Sequence, residues 1–412
     1  MRILAALLLA STLHAADWIS LRDVGVELVS DASERNVRQA LDQLAQIRSL
    51  LPPSSEPEPV PLRIFLFAKE SEYRAYAPNG KASGFYQSGL ERDYIALHAG
   101  TAMPRVVKHE YVHFALRQRN AARPTWLEEG LAEYYSNFDG KRVGLAIPEH
   151  VQMLQRRPWL SAEEMNAPRE LGEMFYAQSW ALVHMLRREA QFPELVTERM
   201  LADLRPYLRV LRPTAVDVPS AAAPVVAAES VSPLNALLLR ADLALRSQHL
   251  QLAGKLYQQA ASEYPNSSAA ATGLGALAFA NGDREAALAH LKHSLALNDR
   301  DGLAWFQLAL IENDSTALEK AALFNPNLAE AHVLLGVRAT DDGNLDAALA
   351  HLEQATRLLP RKSYAWYSLG FAQQKRGDIA GARTSLERAL RTATTAEQRK
   401  MAETLLDSLG QI

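Results

Sequence analysis

The chain has 412 residues, with 44 Lys and Arg against 47 Asp and Glu and a formal net charge of −3. That length exceeds what one core usually sustains, so two domains are expected. The balanced charge argues against nucleic acid as the main partner, and the absence of cysteine excludes disulfides, Cys-ligated zinc, iron–sulfur clusters and a lipidated N-terminal cysteine.

Met1 and Arg2 precede an apolar run from Ile3 to Leu13, and small residues follow at Ala15 and Ala16. The run is too short to span a bilayer and suits the core of a signal peptide, so residues 1–16 are expected to be removed on export. No later stretch has about 18 uninterrupted apolar residues. The mature chain is therefore expected to be periplasmic or secreted, with no membrane span.

Residues 17–212 mix strand and helix signals. Gly25–Val29 reads as a short strand. Ser33–Leu51 is amphipathic, with Val37, Ala40, Leu41, Leu44, Ile47 and Leu51 on one face. Asp31 and Glu34 resemble a capping box at its start. Prolines make 52–61 a surface loop. Leu62–Phe67, Ser83–Gln87 and Asp93–His98 read as further strands. A helix is expected from about Pro104 to Arg119 and a second one after Pro124. The order is strands first and helices later, an α+β arrangement. Residues 213–233, rich in Pro, Ala, Ser and Val, read as an extended linker.

Residues 234–412 change to a repeat. Turns at Asn281-Gly282-Asp283, Asp342-Gly343-Asn344 and Arg376-Gly377-Asp378 share one surrounding pattern. A glycine stands seven residues earlier (Gly275, Gly336, Gly370), an alanine five later (Ala287, Ala348, Ala382) and a leucine four beyond that. The last two turns are 34 residues apart and the first two 61, so one intervening repeat is short by seven. This pattern resembles the tetratricopeptide repeat. The resemblance implies an all-α solenoid of about five stacked helix pairs, the first spanning Leu237–Pro265, with Ala396–Leu409 as a closing helix. It also implies a protein partner on the repeat surface.

The chemistry is concentrated at His109-Glu110-Tyr111-Val112-His113. On a helix His109 and His113 lie one above the other, so both imidazoles can meet one zinc ion. Glu110 is one step around, within reach of a metal-bound water. Trp126-Leu127-Glu128-Glu129-Gly130-Leu131-Ala132-Glu133-Tyr134 begins thirteen residues later. Glu129 and Glu133 share a helix face, where like charges repel unless a cation or a charged imidazole lies nearby. Gly130 is expected to let this helix approach the first one closely.

H-E-x-x-H followed by W-L-x-E-G-x-A-E-Y resembles the gluzincin metallopeptidases, and the region 18–204 is similar to bacterial peptidase-MA-like domains. The resemblance implies a zinc ion (Zn2+) held by His109, His113 and Glu129, with Glu128 as the alternative third ligand. It implies that Glu110 is the general base and that Glu133 orients His109 through its other ring nitrogen. Three protein ligands would leave one position for water, whose pKa zinc lowers toward about 7. Tyr176 is the candidate second donor to the oxyanion, with Tyr134, Tyr135 and His98 as rivals. The substrate would be a peptide or protein. The exopeptidase motif of gluzincin aminopeptidases is absent, which favours an endopeptidase. If the strand at Tyr94–Leu97 is a sheet edge, an extended substrate could add to it. His150, His184, His290, His293, His332 and His351 have no metal-ligand pattern; His184 reads as packing and the repeat histidines as surface residues. The alternative is a non-catalytic repeat scaffold whose metal domain is structural or inactive.

Overall fold

The computed structural model describes residues 18–52, 61–80, 82–89, 92–118, 123–187, 191–216 and 226–410. The expected signal peptide, residues 1–16, and most of the proline-rich loop lie outside the described residues.

The chain opens with β1 (Trp18–Asp23) and β2 (Val26–Ser30), an antiparallel hairpin turned at Gly25, whose φ of +71° suits glycine. Helix α1 (Glu34–Leu50) follows. Its cap is Ser33, which accepts from the Asn36 N–H. Asp31 is not the cap: its carboxylate accepts from the Ala68 N–H at 2.7 Å, tying the loop to the sheet. Then come β3 (Leu62–Phe67), the short α2 (Glu70–Tyr73), β4 (Gly84–Gln87) and β5 (Asp93–His98). Helices α3 (Met103–Gln118) and α4 (Thr125–Ser136) carry the metal motif. After them lie β6 (Arg142–Val143), α5 (Pro148–Arg156), α6 (Ala162–Asn166), α7 (Glu173–Leu186), α8 (Glu198–Tyr207), β7 (Thr214–Ala215) and β8 (Glu229–Val231).

The main sheet runs β4-β5-β3-β2-β1-β8. Strands β2, β3 and β5 are parallel; β4, β1 and β8 pair antiparallel to their neighbours. The strand at Tyr94–Leu97 is therefore internal, so the condition for a substrate to add to it is not met. Gly84–Gln87 folds back beside it, pairing Phe85 with Ala96, and takes the edge itself.

Both faces of this sheet are buried, as the nearly unbroken apolar run LRIFLF requires. Leu28, Ile64, Leu66, Ile95 and Leu97 pack against Leu41 and Leu44 of α1 and Val107 and Tyr111 of α3. Val29, Phe65, Phe67, Tyr94 and Ala96 face the other way, into a second core. That core is completed by α9 (Pro233–Arg246) and α10 (Leu250–Glu263), the first repeat pair, through Leu237, Ala241, Ala244 and Leu256.

The stretch 213–233 is thus not a simple extended connector in its described residues. Thr214–Ala215 pairs with Arg142–Val143, Glu229–Val231 pairs with β1, and Ser232 caps α9. Thr214 and Val231 are good strand formers, and each short segment pairs along an otherwise open edge.

The stack continues with α11 (Ser268–Ala280) and α12 (Arg284–Leu297), α13 (Gly302–Glu312) and α14 (Ser315–Phe324), α15 (Ala329–Asp341) and α16 (Leu345–Leu358), and α17 (Ser363–Arg376) and α18 (Ile379–Thr392), closed by α19 (Ala396–Ser408). Gly282, Gly343 and Gly377 turn between helices with φ of 79°, 77° and 88°. The small residues mark close approach: a Cβ at Gly275 or Gly370 would come within 2.8 Å of the Leu291 or Leu386 Cγ. The short repeat is the α13–α14 pair, with helices of 11 and 10 residues turning at Asn313 in the left-handed region. Among the described residues no helix is long and apolar enough to cross a membrane.

Candidate metal centre

Helix α3 buries Val107, Tyr111, Phe114 and Ala115 against the sheet and α1, which fixes its rotation. His109 and His113 then emerge one turn apart on the side facing α4. Their Nε2 atoms are 3.2 Å apart. Glu129 Oε2, from α4, lies 3.6 Å from His109 Nε2 and 3.5 Å from His113 Nε2. Among the described residues these three are grouped closely enough that they could hold a metal ion. Zinc at about 2.0–2.1 Å from tetrahedral ligands separates the ligand atoms by about 3.3 Å. The observed triangle, two imidazoles and one carboxylate, fits that requirement.

Burial opposes charge on the histidines, but the Glu128 and Glu129 carboxylates beside His113 outweigh that and hold it up at about 9. Burial likewise opposes the Glu129 charge, and the two histidines beside it bring it down to about 2. The pocket is thus set up to hold a carboxylate against positive charge.

Glu133 lies one turn beyond Glu129 and is nearly buried. Its Oε1 is 3.1 Å from His109 Nδ1. Its Oε2 is 2.9 Å from His150 Nε2 and also pairs with Arg105. These partners overcome the burial that would raise its pKa and drive the carboxyl well below its ordinary value. Glu128 Oε1 stands 3.9 Å from His113 Nδ1, facing the ring nitrogen opposite the triangle. Of the two third-ligand candidates, it is Glu129 that converges with both Nε2 atoms.

Glu110 is buried, with the Tyr86 backbone N–H of β4 favouring its charged form. Burial first, and the Glu129 charge in addition, raise its pKa against the pull of His109 and His113. Gly84 is needed beside it: a Cβ there would meet the Glu110 Cγ at 3.3 Å and collide with Val106.

Tyr176, near the start of α7, brings its ring to 6.4 Å from that of His109. Burial, with Glu129, Glu110 and Glu133 around it, pushes its hydroxyl well above the ordinary value, so it stays a donor. The rivals point elsewhere. Tyr134 is buried with its hydroxyl 3.4 Å from Thr214 Oγ1, Tyr135 packs edge-on against Tyr134, and His98 packs on Tyr73.

Several residues went unrecognised in the sequence. His150 has a partner after all, Glu133, but it sits on α5, seventeen residues further along. Arg105 precedes His109 by one turn, so the helical period could have placed it on the same face. Tyr86 stacks on His113 at 6.4 Å, and Tyr73 is buried near Glu110 with its hydroxyl unpartnered among the described residues. Gly130 does not serve the α3–α4 approach. A Cβ there would lie 2.5 Å from the Ser179 carbonyl oxygen, so the glycine lets α7 close on α4. His184 is buried as packing suggests, its Nε2 donating to the Gly144 carbonyl oxygen and its Nδ1 meeting the Tyr207 hydroxyl. His332 is not a surface residue: it is buried, with its Nδ1 3.1 Å from His351 Nδ1.

Comparison with known proteins reaches the repeats. The tetratricopeptide-repeat family matches residues 333–397. A TPR repeat-containing protein of Pseudomonas aeruginosa is 41% identical over 61 residues, 15% of this chain and 58% of that protein. Tetratricopeptide repeat protein 36 of Mus musculus is 42% identical over 62 residues, 15% of this chain and 33% of that protein. The chain thus spans less than two thirds of either relative. Among solved structures, the type IV pilus biogenesis factor PilW is similar at a TM-score of 0.37 and 16% identity, covering 44% of this chain and 88% of that one. A TPR protein of Thermus thermophilus is similar at a TM-score of 0.33 and 20% identity, covering 42% and 98%. Residues 333–397 are tetratricopeptide repeats, an architecture whose stacked helices present a surface for protein partners.

Proposed function

We propose that the protein is a repeat-bearing scaffold whose first unit is a zinc-dependent peptidase, acting on peptide bonds of what the repeats hold. The scaffold half is supported by the repeat match. The peptidase half is carried by one observation: His109 Nε2, His113 Nε2 and Glu129 Oε2 converge at 3.2–3.6 Å beside a buried Glu110. The gluzincin resemblance agrees with that arrangement, and residues 1–16 would direct the chain out of the cytoplasm.

When bound, zinc would supply Lewis acidity and lower the pKa of its water. The residues of the chain supply the rest. Glu110, its pKa raised by burial, accepts a proton from the attacking water and returns it to the leaving amine. Tyr176 donates its O–H to the oxyanion developing on the scissile carbonyl. Glu133 accepts from His109 Nδ1 and holds its ring with Nε2 facing the triangle. Strand β4 lies at the sheet edge beside Glu110, where an extended peptide can be laid.

The test is hydrolysis of a broad peptide library by the purified chain, wild type against Glu110→Gln, with bound zinc assayed on the same samples. Cleavage by the wild type alone, with zinc in both, supports the reading. The second reading, a scaffold with an inactive metal site, is favoured by the comparisons, which match the repeats. It requires zinc without Glu110-dependent cleavage, and loss of partner binding when the repeats are damaged.

A further inference from the structure

The repeats touch the first unit a second time, next to the metal centre. The turn between α16 and α17 meets the start of β5 and the end of α3 around a cleft of about 410 Å3. Glu128, which faces His113, forms part of its wall. So does Asp93, which accepts from the hydroxyl of Tyr86, the residue stacked on His113. Two routes thus lead from the cleft to His113, one through Glu128 and one through Asp93 and Tyr86.

Four cations line it: Arg117 from α3, Arg123, which donates to the Leu116 carbonyl oxygen, and Arg361 and Lys362 from the repeat turn. Arg361 pairs with Asp93 at 3.2 Å. Asp93 is fully buried and already accepts from Tyr86 and from the Gly89 N–H. The Arg361 side chain is only 9% exposed, and its Nε has no hydrogen-bond partner among the described residues. Arg117 and Lys362 make no ion pair among the described residues. Burial, together with repulsion from Arg117 and Arg361, pulls Lys362 below the ordinary lysine value despite Asp93 and Glu330.

Like charges gathered in a partly enclosed space repel, and a buried N–H without an acceptor costs its lost hydration. An anion between them relieves both. A carboxylate matches the forked guanidinium and the lysine ammonium. A group held here would lie beside Glu128, which borders both the cleft and His113.

We propose that this cleft binds a carboxylate of the peptide substrate, with the repeat turn supplying Arg361 and Lys362 and the first unit supplying Arg117. This rests on the reading of the adjacent centre as peptide-cleaving. The preferred substrate is then a peptide with an acidic side chain or a free C-terminus a short distance from the cleaved bond. Specificity would thus be set jointly by both halves of the chain.

The test uses the full chain with Glu110→Gln, zinc chelated, and rhodamine-labelled short peptides read by anisotropy. One peptide is neutral and C-terminally amidated. The second is the same with a free C-terminus, and the third is amidated with one internal Glu. A carboxylate-bearing peptide should bind at least about tenfold tighter than the neutral one, and less so as salt rises from roughly 50 to 300 mM. Whichever of the two wins identifies the source of the carboxylate. The Arg117→Gln/Lys362→Gln pair should abolish the advantage, while Arg117→Lys/Lys362→Arg keeps it. Equal or undetectable binding of all three peptides overturns the proposal, as does an advantage that survives the neutralised pair. Should that pair misfold, the salt dependence and the charge-keeping pair decide. Carboxylate preference without Glu110-dependent cleavage would overturn the peptidase reading alone, and cleavage without preference would overturn this inference alone.

Discussion

Glu133 Oε1 lies 3.1 Å from His109 Nδ1, on the far side of the ring from Nε2 and Glu129. The same carboxylate takes His150 and Arg105, so one buried acid holds three basic groups. Glu133→Gln should weaken zinc binding by about 10–100-fold, because an amide cannot accept from all three. Glu133→Ala should in addition destabilise the fold by about 3–5 kcal/mol by leaving its partners buried and unpaired. Competition against a chromophoric chelator and urea denaturation measure the two effects. Unchanged zinc affinity in both variants would remove Glu133 from the site.

The metal motif was legible because its residues sit within helices. A period of 3.6 places His109, His113, Glu129 and Glu133 on defined faces without knowledge of the rest. The repeats were legible for a similar reason: glycine turns recur at a fixed distance, and the deficit of seven residues is the shortened α13–α14 pair. What could not be read was long-range. Nothing local to Glu229–Val231 says it will pair with β1, and nothing near His150 names Glu133. One clue was present and pointed the right way. LRIFLF has no polar alternation, which signals a strand covered on both faces, and the second cover is α9.

That shared core yields a prediction about cooperativity. Phe67 is fully buried between Trp18, Tyr73 and Tyr76, beneath the first repeat pair. Phe67→Ala should cost about 3–5 kcal/mol. Because α9 and α10 lie on the same core, it should loosen them too. Limited proteolysis of the variant should release the α9–α10 region earlier than in wild type. Independent domains would instead leave the repeats equally resistant.

His184 predicts a pH dependence. It is fully buried, with Nε2 2.8 Å from the Gly144 carbonyl oxygen. Burial pushes its pKa down to about 4, the hydrogen bond to Gly144 opposing and Arg187 adding to the fall. Between about 4 and 6.5 the unfolded chain binds a proton that the folded chain does not. Stability present above pH 6.5 is therefore lost as pH falls toward 4, by at most about 3 kcal/mol. Urea midpoints at several pH values, compared between wild type and His184→Gln, should show a steeper acid decline in the wild type. Parallel curves would contradict this.

The ion pair between Arg361 and Asp93 joins the repeat turn to the sheet at 3.2 Å. Arg361→Met should cost about 3 kcal/mol or more, by leaving Asp93 buried without its cation. Asp93→Asn/Arg361→Met should cost less than Arg361→Met alone, because the uncompensated charge is gone. A double-mutant cycle by thermal denaturation checks this, and additive effects would show that the two residues do not interact.

The central claim is that one divalent ion is held by two imidazoles of α3 and one carboxylate of α4. Anomalous diffraction at the zinc edge, on crystals of the full chain grown with zinc, tests it most directly. The account predicts a single peak at about 2.0–2.2 Å from His109 Nε2, His113 Nε2 and a Glu129 oxygen. No peak there, or an ion bound by Glu128 with Glu129 turned away, would contradict it.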